Sequence, residues 1–232
     1  MCYSDLPQRL GEVQERIAVA LDRSGRAGED VKIVAVTKTH PASAVLAAKA
    51  AGLQDAGENR VQELEEKVGI VGREAVRWHL IGPLQRNKAK RAVRLFDLLH
   101  SLDSVRLAER LSAETGEDGL ICRVLVQVNA SGEATKSGFT PEALVDEVAS
   151  IAALPGLEVM GLMTMAPFTD DEQVVRATFS RTRRLSEDVA RQVSAFRAEH
   201  LSMGMSNDYQ IAVEEGSTML RLGTVLLGER GK

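Results

Sequence analysis

Short apolar runs alternate with helical patterns along nearly the whole chain, and no other feature restricts the fold as much. Such alternation marks a parallel sheet whose strands are joined by crossover helices. Eight runs read as strands: 31–38 (VKIVAVTK), 54–59 (QDAGEN), 77–82 (RWHLIG), 97–103 (DLLHSLD), 121–129 (ICRVLVQVN), 157–165 (LEVMGLMTM), 200–205 (HLSMGM) and 219–227 (MLRLGTVLL). Helical patterns fall between them near 41–51, 60–69, 84–95, 104–115, 141–153, 171–197 and 207–215. Pro41 and Thr140-Pro141 suit helix starts. QDAGEN is polar and is the weakest of the strand runs.

Eight strands, most followed by a helix, predict a (β/α)8 barrel of the TIM type; an open doubly wound sheet is the alternative. One barrel takes ~250 residues, so the 232 residues present are read as one domain. A further helix precedes the first strand, from Asp5 to about Arg26, with Leu6, Leu10, Val13, Ile17 and Leu21 in one stripe. Ser4 or Asp5 can cap it and Pro7 fits its first turn. Residues 1–28 are therefore expected to pack on the barrel as an extra element, able to close one end.

Composition excludes several function classes. A net charge of −4 does not supply the basic face of a nucleic-acid binder or of a protein held on anionic lipid. No apolar run approaches the ~18 residues of a membrane span, and the first residues lack the pattern of a secretory signal. Cys2 and Cys122 are far apart and make no disulfide framework, so a reducing cytoplasm is expected. There is no His/Cys cluster at metal-ligand spacing, no nucleophile elbow, no Walker loop and no GxGxxG after a strand. Cys122, inside a strand, is a poor nucleophile.

In barrels of this kind the reactive groups lie at the C-terminal ends of the strands. The polar residues placed there are Lys38, Asn59, His79, Ser101, Asn129, Ser202 and Arg221. Alternation puts Val34, Val36 and Lys38 on one face, which branched side chains assign to the interior. Desolvation disfavours a charged lysine, and the neutral amine is the form that attacks an aldehyde. The plain alternative is a snorkelling lysine at a strand end.

Arg221 shares its face with Met219 and Gly223, and an arginine inside a strand needs a partner. That partner is either a carboxylate or an acceptor such as a pyridine nitrogen. Gly223 and Thr224 follow directly and suit a phosphate, as do Ser202, Gly204 and Ser206 of strand seven. Ser206 is also in place to cap the helix 207–215. Asn59 reads equally as a helix cap or a ligand contact, and His79 as a hydrogen-bonded core histidine. The methionines 160, 163, 165, 203 and 205 suit either core or the surroundings of a flat ligand. The run RNKAKR (86–91) reads as a solvated helix face, and the polar loop 131–139 as a lid or a surface turn.

These residues fall within motifs that resemble the pyridoxal phosphate homeostasis proteins. The motifs are AVTKTHP, GENRVQE, WHLIGPLQRNK, SLDS, VNASGEATKSGF, GLMTMAP, SMGMSNDYQIAVEEGST and RLGTVLLGER, spread over about residues 33–230. The resemblance implies a barrel like the N-terminal domain of alanine racemase, with pyridoxal 5′-phosphate as cofactor. It makes Lys38 the Schiff-base lysine and Arg221 the arginine facing the pyridine nitrogen. It places Ser202, Ser206, Gly223 and Thr224 in phosphate-binding segments and Asn59 near the ring. Leu227 stands where the family usually has phenylalanine, and Arg86 where serine is common; neither is among these residues.

The role so implied is that of a carrier without turnover, holding the cofactor and passing it to apo-enzymes; one complete barrel leaves no obligate need for a partner, so a monomer is expected. An arginine opposite the pyridine nitrogen disfavours its protonation and weakens the ring as an electron sink. Alanine racemases share that arginine but add a tyrosine base from a second domain. Only Tyr3 and Tyr209 are present here. The alternative is a small pyridoxal-phosphate enzyme such as an amino-acid racemase.

Overall fold

The strand runs close into a parallel barrel in sequence order, with β8 pairing back onto β1. In the computed structural model the described residues are 3–115, 119–133 and 137–228; Cys2 and residues 134–136 of the polar loop lie outside them. The strands are β1 (Lys32–Val36), β2 (Asp55–Glu58), β3 (Arg77–Leu80), β4 (Leu98–Leu102), β5 (Cys122–Gln127), β6 (Leu157–Met163), β7 (His200–Ser202) and β8 (Met219–Leu222). The helices are α1 (Leu6–Arg23), α2 (Ser43–Ala50), α3 (Val61–Val71), α4 (Ala89–Ala92), α5 (Val105–Thr115), α6 (Leu144–Ala152), α7 (Glu172–Gln192), α8 (Tyr209–Glu214) and α9 (Thr224–Leu227). A closed sheet rather than an open one is thus formed, and the polar QDAGEN run is one of its strands.

Alternation along the strands sorts the side chains into two layers. Ile33, Ala35, Leu99, Val124, Leu220 and Leu222 join the large core between sheet and helices. Val34, Leu98, Leu125, Met160, Met163 and Met219 form a separate apolar cluster. Met160 and Met163 both belong to it because the β5–β6 register shifts between Val124 and Leu125. Gly161 sits at that irregularity with φ 152°, where a Cβ would overlap the His200 carbonyl oxygen. Only glycine lets β6 and β7 approach so closely there.

Three expected boundaries differ. The last run is not one strand, since β8 stops at Leu222 and 224–227 form the single turn α9. Apolar content alone cannot separate a buried strand from a buried helical turn. The seventh helix stops at Gln192, although Val193 and Phe196 stay buried beyond it. The helix expected at 84–95 is a 3-10 turn, Arg86–Lys88, followed by α4.

Helix α1 buries the expected stripe of Leu6, Leu10, Val13, Ile17 and Leu21, each side chain contributing ~1.5–3 kcal/mol. It packs on α8 and α9 in the outer layer and does not close an end. Its start lies near the C-terminal rim, where Tyr3 Oη is 3.3 Å from His40 Nδ1. Past its end Arg26 donates to the carbonyls of Val213 and Ser217. Among the described residues no helix is long and apolar enough to cross a membrane.

Candidate functional site

A cavity of about 260 Å³ opens at the C-terminal ends of the strands. Its wall includes Lys38, Asn59, Ser206, Arg221, Gly223 and Thr224, together with Val36, His40, Ile81, Met165, Met205, Asn207 and Gly228. Residues from six strand-to-helix connections, those after β1, β2, β3, β6, β7 and β8, therefore meet at one place. Of the seven residues that the resemblance assigns to the cofactor, Ser202 alone is missing from the wall; of the other strand-end residues, His79, Ser101 and Asn129 are missing too.

Lys38 lies two residues past the end of β1, half-buried, in the turn 37–40. The turn is held from both sides. Before it, Thr37 is fully buried; its hydroxyl donates to Glu58 Oε1, and its carbonyl accepts from Lys67 Nζ of α3 at 2.7 Å. Lys67 also meets Glu58 Oε1 at 2.7 Å. After it, Thr39 adopts φ 66°, a left-handed conformation that a β-branched residue rarely accepts. Its N–H donates to Glu63 Oε2 at 2.8 Å, which holds the strained residue in place. Strain of this kind concentrates where a side chain must be aimed.

Arg221 is 5% exposed, yet no carboxylate forms an ion pair with it among the described residues. Its Nη1 donates to the carbonyl and to the hydroxyl of Ser202 at 2.7 and 2.6 Å, and its Nη2 to the Thr164 carbonyl at 2.9 Å. Those bonds use three of its five N–H groups and leave Nε and one N–H of Nη2 as remaining donors. Burial lowers its pKa to about 10, against the opposing charge of Asp208. Burial in turn raises the Asp208 carboxyl, against hydrogen bonds from backbone N–H groups and the Arg221 charge.

Ser202 is thus a support under Arg221, sealed from the cavity. Alternation predicts the face of a strand residue but not its depth along the barrel, which explains the difference. Ser206 does not cap α8. Asp208 occupies the cap position of α8, and Ser206 Oγ accepts from the Val225 N–H at 3.3 Å. It ties the loop after β7 to the turn after β8.

Asn59 is not a cap either, since Arg60 precedes α3. It packs against Gly82, where a Cβ would overlap its backbone and side chain. Ser101 Oγ fixes Gly82 by donating to its carbonyl at 2.6 Å. Asn129 turns to its own loop and donates to the Glu133 carbonyl. The described part of the polar loop returns to β5, with Phe139 N–H bonded to the Gln127 carbonyl.

His79 is a hydrogen-bonded core histidine. Its Nε2 is 2.8 Å from Asp55 Oδ1 and its Nδ1 is 2.9 Å from His100 Nε2. Sequence reasoning missed His100 and Asp55; the signal for His100 was a polar residue within an apolar strand, whereas Asp55 lies in the polar β2 and had no such signal. Cys122 is buried and burial pushes its thiol up to about 12, which agrees with an inert role. No cluster able to hold a metal exists among the described residues.

A closed parallel barrel of eight strands is the fold of the alanine racemase N-terminal domain class. The model of that family, "Alanine racemase, N-terminal domain", matches residues 9–231. Within that class the chain belongs to the pyridoxal phosphate homeostasis protein family. It is 39% identical to the protein of that name from Aquifex aeolicus, over 96% of this chain and 97% of the relative. It is 37% identical to the one from Escherichia coli K12, over 98% and 97%. Among solved structures, PipY of Synechococcus elongatus PCC7942 with PLP bound superimposes with TM-score 0.84 at 36% identity, covering 96% of this chain and all of PipY. Alanine racemase from Corynebacterium glutamicum shares the fold, with TM-score 0.71 at 17% identity, over 94% of this chain and 61% of the racemase.

Proposed function

We propose that this chain binds pyridoxal 5′-phosphate through Lys38 and serves to hold and deliver it within the reducing cytoplasm, as a monomer without catalytic turnover. The observation that carries this reading is one cavity walled by a lysine at one strand end and a buried arginine on a neighbouring strand. The residues present fit the cofactor. Arg221 offers Nε to a ring nitrogen, and the tie from Ser206 to Val225 brings two loops with backbone N–H groups to the place a phosphate would occupy. The volume is close to the lower end of the ~300–1,000 Å³ that small-ligand sites occupy.

When bound, the cofactor supplies an aldehyde that condenses with a neutral amine and releases water. Lys38 holds it through that Schiff base, with its backbone aimed by Thr37 and Thr39. Arg221 keeps a positive charge where a ring nitrogen would otherwise take up a proton. Ser206, Gly223 and Thr224 would hold the phosphate, and Asn59, packed against Gly82, would lie beside the ring. PipY, the relative with PLP bound, and relatives of equal length named for pyridoxal phosphate homeostasis support the reading.

Absence of turnover is supported by the tyrosines. Tyr209 is buried in α8 and does not line the cavity, and Tyr3 meets His40. The test is to record the visible spectrum of the purified chain, reduce it with borohydride and map the modified peptide by mass. A pyridoxyl adduct on Lys38 is expected. A colourless protein that takes up no added cofactor, or an adduct only on another lysine, overturns the reading. Steady-state racemisation that Lys38→Ala abolishes would replace the carrier with an amino-acid racemase.

A further inference from the structure

A continuous line of hydrogen bonds crosses the barrel interior, from the N-terminal face to the floor of the cavity. It begins at Asp55, the first residue of β2, which Arg77 grips with Nε at 2.8 Å and Nη2 at 2.6 Å. It continues through His79 at 2.8 Å, His100 at 2.9 Å and Ser202 Oγ at 2.9 Å from His100 Nδ1. It ends on Arg221, 2.6 Å from the same hydroxyl. Asp55, His79, His100, Ser202 and Arg221 are all buried. Barrel interiors of this class are ordinarily filled by layers of branched apolar side chains. Five consecutive polar partners in that space need a reason.

The direction of the line follows from counting protons. Arg221 can only donate, so Ser202 Oγ accepts from it. The one hydroxyl proton of Ser202 then has His100 Nδ1 as its acceptor. That leaves the His100 proton on Nε2, which donates to His79 Nδ1. The His79 proton is accordingly on Nε2 and donates to Asp55, an acceptor held as a carboxylate by Arg77. In the reverse direction Ser202 would receive two donors, and its own proton would have no acceptor among the described residues.

The charges facing the line agree. Burial, with His79, Arg221 and His200 nearby, pushes His100 well below its ordinary value, so it is neutral. Burial raises Asp55, but the hydrogen bonds and charge of Arg77, with the hydrogen bond from His79, outweigh it and bring its carboxyl well below the usual carboxylate range. Asp208, from α8's side, also faces Arg221 and partly offsets the effect of its burial.

We propose that Asp55, His79, His100 and Ser202 are a one-directional relay that positions the Arg221 guanidinium at the cavity floor, with every proton of the relay aimed away from the cavity. His79 and His100 act only through their neighbours, so they are positioning residues. A fixed serine lone pair gives the guanidinium one orientation, and no proton of the relay points toward the cavity. What Arg221 meets in the cavity rests on the pyridoxal phosphate reading; the relay itself does not.

The experiment is nitrogen-15 NMR of the histidine side chains in the full chain, without and then with added pyridoxal phosphate. Long-range proton–nitrogen correlations show which ring nitrogen bears the proton. His79 and His100 are each expected as a single neutral tautomer protonated on Nε2. Asp55→Asn, whose amide can donate as well as accept, is expected to give mixed tautomers at His100, two links away. It is also expected to weaken pyridoxal phosphate binding about tenfold, the loss of roughly one hydrogen bond. His79→Gln, which can accept from His100 and donate to Asp55, keeps the His100 tautomer, whereas His79→Leu releases it; these two serve if Asp55→Asn does not fold. His100 protonated on Nδ1, His79 protonated on both nitrogens, or a His100 signal unmoved by Asp55→Asn or His79→Leu overturns the relay. Failure of the unchanged protein to take up pyridoxal phosphate overturns the cofactor reading and leaves the tautomer result intact.

Discussion

Lys67 Nζ sits 2.7 Å from Glu58 Oε1, with both side chains closed off from solvent, and the same ammonium reaches the Thr37 carbonyl. This buried pair lies on the helix side of the sheet, one residue from Lys38. It fixes the strand end that aims the lysine. Glu58 Oε2 has no hydrogen-bond partner among the described residues, so its charge depends on Lys67. Burial raises the Glu58 carboxyl, against the lowering by Lys67 and Thr37. Lys67→Ala leaves a buried carboxylate alone and is expected to destabilise the fold by ~3–5 kcal/mol. Removing both charges with Glu58→Leu and Lys67→Met is expected to cost much less than the two single changes added together. Urea unfolding of the four proteins in a double-mutant cycle checks this, and strict additivity would show the pair to be uncoupled.

Thr39 carries the strain in the same turn. A residue that accepts the left-handed region should relieve it, so Thr39→Asn is expected to raise stability by about 1 kcal/mol. The turn should become less fixed in the same variant, with a slower return of Lys38 to its cofactor after removal and re-addition. A urea midpoint no higher than that of the unchanged protein would place the strain elsewhere.

How far the sequence reveals all this depends on whether the information is periodic or positional. Barrel closure was legible because eight runs recur with helices between them, and Lys38 and Arg221 because strand ends and strand interiors are unusual places for a cation. The grouping of Asn59, Ser206, Gly223 and Thr224 with them follows from the rule that barrel sites sit at C-terminal strand ends. Period-two alternation does not encode depth, so Ser202 was placed one layer too high. The Glu58–Lys67 pair depends on how α3 packs against the ends of β1 and β2. His100 and Asp55 become readable only when register aligns three separate strands across the barrel.

Ser206 tests the phosphate side independently of Lys38. Its hydroxyl joins the loop after β7 to the turn after β8 through the Val225 N–H. Ser206→Ala removes that tie and one donor to an anion, and hydrogen bonds to charged groups contribute ~1.5–3 kcal/mol. The dissociation constant for pyridoxal phosphate is expected to rise roughly tenfold to a hundredfold, a range set by that energy. The borohydride adduct on Lys38 should still form at saturating cofactor. Fluorescence titration checks the first expectation and peptide mapping the second; an unchanged dissociation constant would remove Ser206 from the phosphate site.

Acid should expose the anchoring role of Asp55 in stability. The folded-state carboxyl lies below its ordinary value of 3.8, because Arg77 and His79 outweigh the opposing effect of burial. A depressed carboxyl binds its proton more readily in the unfolded chain, so stability rises with pH through this range. The contribution is therefore fully present above the unfolded value and is lost as pH falls through the carboxylate region. Glu58 has the opposite sign: its raised carboxyl favours the folded state at low pH, and that contribution is lost as pH rises through its folded value. The two must be separated by mutation. Urea unfolding at a series of pH values is expected to show a shallower loss of stability on acidification for Asp55→Asn than for the unchanged protein. Glu58→Gln should steepen it. If Asp55→Asn leaves the acid slope unaltered, Asp55 is not the carboxylate whose protonation loosens the barrel, and the anchor of the interior hydrogen bonds must be sought at another residue.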